Sequence, residues 1–389
     1  MTLVFSDDQE QFRESIQRFL TERMPTTKVR QLMATEHGSD PAVWQQASAQ
    51  LALTGIHIPE AFGGAGFGAV ELGIALEEMG GSLFCGPYFS SAVLSAYALM
   101  LCGDEDQQEQ WLGDIAGGER RACLAVTDYT GLWQQDDIAT TAVTQSSGDV
   151  LLNGKKRFVI DGQSADLFVV AAQSGRGIGL FVVDGRANGM TVEALDTMDP
   201  TRKMAHIDFV DVPATALTQL PDHWLDTLLN IACITLSAEM IGGAQRLLAS
   251  AVEYTQLRYQ FGRSIASFQA IKHRLADLLL EVELARSATY QAIETLADCS
   301  NLQNLTQAQQ RRLTEHASLA KAAVSETYLQ AALETIQLHG GIGFTWENDT
   351  HLWFKRAKSS EVLLGTPAEH RERMLVNLEA GLRAQEDAA

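Results

Sequence analysis

Arg258-Tyr-Gln-Phe-Gly-Arg-Ser-Ile-Ala-Ser-Phe-Gln269, running on into Ala-Ile-Lys-His-Arg-Leu-Ala-Asp-Leu278, carries two signals at once. From Phe268 onward, Phe268, Ile271, Leu275, Leu278, Val282 and Ala285 recur at steps of three and four, which is one apolar stripe on a helix. Just ahead stand a cation, an aromatic ring and a glycine: Arg258, Phe261 and Gly262. A guanidinium fork matches a pair of phosphate oxygens, and a flanking ring stacks on a flat group. A second stretch, Gln337-Leu-His-Gly-Gly-Ile-Gly-Phe344, sets three glycines where backbone can come close to a ligand.

Outward from these stretches the chain reads as three parts. Residues 1–118 are helical: Phe5-Ser6-Asp7-Asp8 opens a helix with Phe12, Ile16, Phe19 and Leu20 on one face, and Asp40-Pro41 is an N-cap followed by proline in the first turn. Gly63 to Gly68 is a turn before a helix from Val70 to Met79; no P-loop lysine follows and no strand-type run precedes it, which argues against a phosphate-binding loop. Residues 119–218 change pattern. Cys123–Thr127, Val150–Asn153, Arg157–Ile160, Leu167–Ala172, Gly179–Val183, Met190–Ala194 and Ala205–Val210 are short strand-like runs separated by Gly, Asn and Asp. Residues 219–389 return to helical period in four or five long helices packed as a bundle, broken once at Asp298-Cys299-Ser300-Asn301. Leu228 to Ala251 is the most apolar run, but Asn230, Glu239, Gln245 and Arg246 interrupt it, so it reads as a buried bundle helix and not a membrane span.

Composition narrows the partners. The 389 residues are 46% hydrophobic and 20% charged, as in an ordinary globular protein. A net charge of −20 argues against nucleic acid or an anionic membrane as partner. Five scattered cysteines (Cys85, Cys102, Cys123, Cys233 and Cys299) form no CxxC pair, and the opening MTLVFSDDQEQ has no signal-peptide core; both fit a reducing cytoplasm.

Four stretches in order resemble the acyl-CoA dehydrogenase flavoprotein family: Leu-Thr-Gly-Ile-His-Ile-Pro-Glu-Ala-Phe-Gly-Gly-Ala-Gly66, Leu-Asn-Gly-Lys-Lys-Arg-Phe-Val-Ile-Asp161, the helix signature from Arg258 and the glycine turn at Gly340. The resemblance implies an α+β fold with an N-terminal helical domain, a middle antiparallel β domain and a C-terminal four-helix-bundle-like domain. It implies FAD as cofactor and an acyl-CoA thioester as substrate, which gains a 2,3-double bond. A carboxylate takes the proton next to the carbonyl and the flavin takes a hydride from the next carbon. In family dimers the arginine motif and glycine turn reach across to the neighbouring subunit's FAD. By resemblance those residues are Arg258, Phe261, Gln269, Gln337, Gly340 and Gly341.

The base is where this chain departs. The usual glutamate stands directly before a Gly-Thr pair, and here that position is Leu364. The alternative position on the helix preceding the arginine motif is Ala232. Neither side chain accepts a proton. Glu361, three residues before Leu364 and able to share a helix face with it, and Glu239, seven after Ala232, are the substitute carboxylates to weigh; structural ion pairing is the plainer role for both. The family's Thr-Glu-Pro-Gly-Ala-Gly-Ser-Asp run beside the flavin is replaced by Val126-Thr-Asp-Tyr-Thr-Gly-Leu-Trp133, and its Trp-Ile-Thr by Phe158-Val159-Ile160, which loses a hydroxyl donor.

The chain thus keeps what it lends to a neighbour and lacks what its own site needs. The expectation is the non-catalytic subunit of a heteromer whose related partner carries the glutamate, with electron-transfer flavoprotein as acceptor. Leu338 to Glu347 and His351 to Arg356 look like the branch of α2β2 bacterial enzymes acting on bulky, steroid-type CoA thioesters. The alternatives are a self-sufficient dehydrogenase with Glu239 or Glu361 as base, a flavin-free acyl-CoA-binding scaffold, and a flavin monooxygenase. His339 reads as a packed histidine, Trp346 and Trp353 as core or interface anchors, and Lys355, Arg356 and Lys358 as a solvated helix face.

Overall fold

The computed structural model describes residues 5–299 and 301–386. Helix α1 (Asp7–Arg23) starts at Ser6, whose hydroxyl accepts from Gln9 N at 3.2 Å while Gln9 returns a bond to Ser6 N. It buries Ile16, Phe19 and Leu20. Helices α2 (Thr26–Met33) and α3 (Pro41–Leu51) follow, the second capped by Asp40. After the glycine turn comes α4 (Ala69–Ser82), then a π-helical coil, Tyr88–Ser95, that runs into α5 (Ala96–Cys102) and α6 (Glu105–Ala116). The turn is structural, since a Cβ at Gly64 would lie 2.0 Å from Ile58 O.

The middle part has seven strands: β1 (Ala122–Ala125), β2 (Thr141–Thr144), β3 (Val150–Ile160), β4 (Leu167–Ser174), β5 (Gly177–Asp184), β6 (Met190–Ala194) and β7 (Met204–Ala216). Strands β4, β2, β3, β7 and β5 pair in a ring that closes through β5–β4, so the sheet curls into a small barrel. β1 lies parallel beside β4, and β6 pairs with β7. Alternation along β4 builds two cores. Phe168, Val170 and Ala172 fill the barrel, while Leu167, Val169 and Ala171 join the helical core.

Two differences from the sequence reading have physical causes. The runs at Val150–Asn153 and Arg157–Ile160 are one strand, because Lys156 between them points inward and is fully buried. β2 went unread because Ala142 is its single buried residue.

The C-terminal part holds α7 (Trp224–Leu257), a two-residue ribbon of β8 (Tyr259–Gln260) and β9 (Arg263–Ser264), then α8 (Gln269–Ala297), α9 (Gln307–His339), α10 (Thr350–Val362) and α11 (Pro367–Glu386). The most apolar window of α7 is long enough to cross a membrane, yet 94% of it is buried inside the fold. Helices α4 and α7 touch backbone to backbone: a Cβ at Gly80 would lie 1.8 Å from Glu239 O, and one at Gly242 would lie 1.7 Å from Glu77 O. This contact fixes α7, and with it Glu239, against the N-terminal helices.

Candidate functional site

The two sequence stretches meet at one end of the bundle. Tyr254, one turn before Arg258, stacks on His339 with ring centroids 4.1 Å apart, and its hydroxyl donates to His339 O at 3.3 Å. His339 is buried, with Nδ1 donating to Thr335 O at 2.8 Å, so it is a packed histidine. The α7 C-terminus, the β8–β9 ribbon, the α8 N-terminus and the α9 C-terminus therefore gather on one surface.

Arg258, Gln269, Gln337 and Gly341 are all exposed there, and Phe261 is 90% exposed at a positive φ of 54°. The ring meets Phe268 at right angles with centroids 6.2 Å apart and is otherwise bare at the tip of a tight ribbon, an exposure that marks an interaction surface. Gly340 has φ 65° and ψ −143°, a conformation that favours glycine. A Cβ added at Gly262, Gly340 or Gly341 would meet nothing within 4 Å, so there is free space beside each. A cation, a bare aromatic ring, two amide side chains and uncovered backbone are the donor set a dinucleotide needs. These residues fit FAD, and they face outward.

The side of the barrel that the resemblance sets beside a flavin is different. The segment that begins at Val126 is tied to itself. The Asp128 carboxylate accepts from Ala139 N at 2.6 Å, from Thr140 N and Oγ1, and from the buried Lys156 Nζ. Asp137 accepts from Asp128 N at 3.2 Å and from Thr130 N at 3.1 Å. Burial pulls the Lys156 pKa down to about 8, although Asp128 opposes it. Phe158 sits at φ 55°, half-exposed, with its ring edge toward His206. Ile160 is buried and turns its side chain into the wall of a cavity. It offers no hydroxyl, so this side fits a flavin poorly.

The base positions are apolar and closed. Ala232 is fully buried on α7. Leu364 is buried at φ 64°, and its carbonyl accepts from His370 Nε2 at 3.1 Å. The expected shared helix face with Glu361 is not formed, because α10 ends at Val362 and Leu363 is extended. Glu361 instead pairs with Lys358 at 2.5 Å. Glu239 Oε1 is held by two guanidiniums, Arg356 Nη1 at 2.7 Å and Arg202 Nη2.

That contact corrects the reading of Arg356. Expected on a solvated helix face, it is 4% exposed and binds Asp199 through Nε and Thr201 through Nη2, as well as Glu239. Burial opposes its charge, but Asp199 and Glu239 outweigh that and raise its pKa. For Arg202 burial wins, and its pKa falls despite Glu239. Beside them Asp161, which accepts from Ser90 Oγ at 2.7 Å, is pushed up to about 7 by burial. Asp161 and Arg202 escaped the sequence reading, since nothing local marks a residue whose partners are distant in the chain. Trp353 is core, whereas Trp346 is 68% exposed with Lys355 Nζ 5.0 Å from its ring.

A three-part helix–barrel–bundle chain with a dinucleotide-type surface at the bundle end defines a class of flavin-dependent oxidoreductase folds. The chain belongs to the acyl-CoA dehydrogenase family: the N-terminal, middle and C-terminal domain models of that family match residues 6–119, 123–212 and 223–378. It is 32% identical over 368 residues to acyl-CoA dehydrogenase IpdE2 of Mycobacterium tuberculosis, covering 95% of this chain and 96% of that protein. Among solved structures, the Tcur3481-Tcur3483 steroid ACAD (a variant) superposes with a TM-score of 0.85 and 27% identity, covering 97% of this chain and 99% of the other. The ChsE4-ChsE5 complex from Mycobacterium tuberculosis gives 0.85 at 25% identity with the same coverage.

Proposed function

We propose that this chain is the non-catalytic subunit of a heteromeric FAD-dependent acyl-CoA dehydrogenase, completing the FAD site of a related partner that carries the catalytic glutamate. The observation that carries the reading is an asymmetry. Arg258, Phe261 and Gln337 stand bare on the surface, while both base positions, Ala232 and Leu364, are buried and apolar. FAD, when bound, supplies the acceptor for the hydride. Arg258 would meet its pyrophosphate, Phe261 and Gln269 would support the adenosine half, and Gln337 with the Gly340-Gly341 backbone would line the same pocket. The proton goes to the partner's carboxylate. The substrate is a bulky, steroid-type acyl-CoA, a choice supported by the likeness to the Tcur3481-Tcur3483 steroid ACAD. The likeness to the Tcur3481-Tcur3483 steroid ACAD and to the ChsE4-ChsE5 complex, each named for a pair of proteins, supports a heteromer.

The test is to purify the chain alone and with a glutamate-bearing relative. The expected outcome is a colourless, inactive lone chain and a yellow, active complex. Full flavin occupancy and turnover by the lone chain would overturn the reading.

A further inference from the structure

We infer that Asp199, Arg202, Glu239 and Arg356 form a fixed plug that closes this subunit's own pocket to an acyl group, so that the heteromer takes up acyl-CoA only at the partner's site. The inference rests on the heteromeric reading above, and it concerns the substrate where that reading concerns the flavin.

The place is set by chemistry. A thioester that loses two hydrogens must lie between the flavin and the base. In this chain that space is bounded by Ile160 on the flavin side and by α7 and α10, the helices that carry or precede the two base positions. The cavity found there is about 20 Å³, lined by Met79, Phe84, Tyr88, Phe89 and Ile160 on its apolar side and by Arg202, Glu239 and Arg356 on its polar side. A water needs roughly 10–15 Å³ of such space, so this is room for a water and not for an acyl chain.

The polar wall is built, not incidental. Arg356 Nε reaches Asp199 Oδ2 at 2.6 Å, and its Nη1 reaches Glu239 Oε1 at 2.7 Å. Thr201 Oγ1 donates to Asp199 Oδ1 at 2.5 Å and accepts from Arg356 Nη2 at 2.7 Å. Arg202 closes the group onto Glu239 and lies over the Phe89 ring, 5.5 Å from its centroid. The four charged residues are 1–8% exposed. Two cations and two anions cancel, so the group does not call for an anionic ligand. A buried network of this kind resists disruption, because removing one member strands the others. Its members also come from both walls. Asp199 and Arg202 lie between β6 and β7, whereas Glu239 is on α7 and Arg356 on α10. The plug therefore ties the barrel to the bundle across the cleft an acyl group would have to enter. Within the cavity wall, Arg202 Nη1 is buried without a partner among the described residues, and a water bound there would complete the network.

The test uses the complex with its glutamate-bearing partner and octyl-CoA, a thioether with no carbonyl and so not a substrate. Calorimetric titration should give one octyl-CoA per pair of subunits. In the charge-neutral variant E239A/R356A the count should double. A crystal structure of the unaltered complex with octyl-CoA should show the ligand in the partner alone and a water at Arg202 Nη1, a readout independent of any variant's folding. Two octyl-CoA per unaltered pair, ligand in this subunit's cleft, or an intact E239A/R356A complex that still binds only one would each overturn the plug. Flavin counted on the same samples keeps the two ideas apart: two FAD with one octyl-CoA per pair sinks the reading that only the partner's FAD site is complete and leaves the plug standing.

Discussion

Arg356 Nε lies 2.6 Å from Asp199 Oδ2, although the two residues are 157 positions apart in the chain. The pair links the bundle to the barrel with both partners almost wholly buried. Removing one partner leaves an unpaired buried charge, which typically costs about 3–5 kcal/mol. Arg356→Ala should lower the unfolding free energy by that order, read from urea titration. Replacing the cluster by apolar residues of similar volume should cost far less. If Arg356→Ala unfolds at the same urea concentration as the unaltered chain, the pair contributes no net stability.

Asp161 gives a pH signature. Burial raises its pKa from 3.8 to about 7, against the Ser90 hydrogen bond and the Arg202 and Arg356 charges. Between those two values the folded state holds a proton that the unfolded state releases, so stability falls as pH rises through that window. Asp161→Asn removes the titration, and asparagine tolerates the residue's left-handed φ of 56°. The variant should match the unaltered protein near pH 4 and exceed it at pH 8 by roughly 2–4 kcal/mol. Melting curves across that range decide it, and a difference that does not change with pH would refute the assignment.

Arg258 is exposed and makes no ion pair among the described residues, so its loss should leave the fold intact. A charge-assisted bond to phosphate contributes about 1.5–3 kcal/mol. Arg258→Gln in the complex should therefore weaken flavin retention by roughly 10–100-fold, with an unchanged melting temperature for the lone chain. Equilibrium dialysis of the flavin measures the first effect and calorimetry the second.

Restoring the family's carboxylate should not restore chemistry. Leu364→Glu puts a carboxylate in a 3% exposed site beside the Cys233 thiol and His370. Burial holds that thiol up at about 11 and that imidazole down at about 4, so neither is charged to receive it. The variant should be destabilised by at least about 1–3 kcal/mol and show no turnover as a lone chain. Acyl-CoA oxidation by that lone variant would mean the pocket is open.

Much of this molecule is legible in its residues, and the limits are instructive. The stripe from Ile271 through Val282 to Ala285 marks α8, which begins at Gln269. The capping residues Ser6 and Asp40 mark the starts of α1 and α3. For the surface residues from Arg258 to Gly341 the local signal is two short stretches, and the FAD contact assigned to them comes from the family resemblance those stretches carry; the fold brings the two stretches to one end of the bundle. What escaped was long-range pairing. Lys156 split β3 in two on paper, since a lysine reads as solvent-facing until Asp128 is seen to neutralise it. Arg356 reads as a solvated helix residue until Asp199 and Glu239 are seen beside it. A buried charge is recognisable only with its partner, and the partner's position is a property of the fold.

The close approach at Gly80 and Gly242 bears on how this subunit can change over generations. Even a methyl group at either position would collide with a carbonyl of the opposing helix, Glu239 O or Glu77 O. Such a collision would lever α7 outward and drag the Glu239 carboxylate off its two guanidiniums. A library scan should find these two sites less tolerant of alanine than the charged residues they align, so that drift in the pocket is restrained by atoms that carry no chemistry of their own.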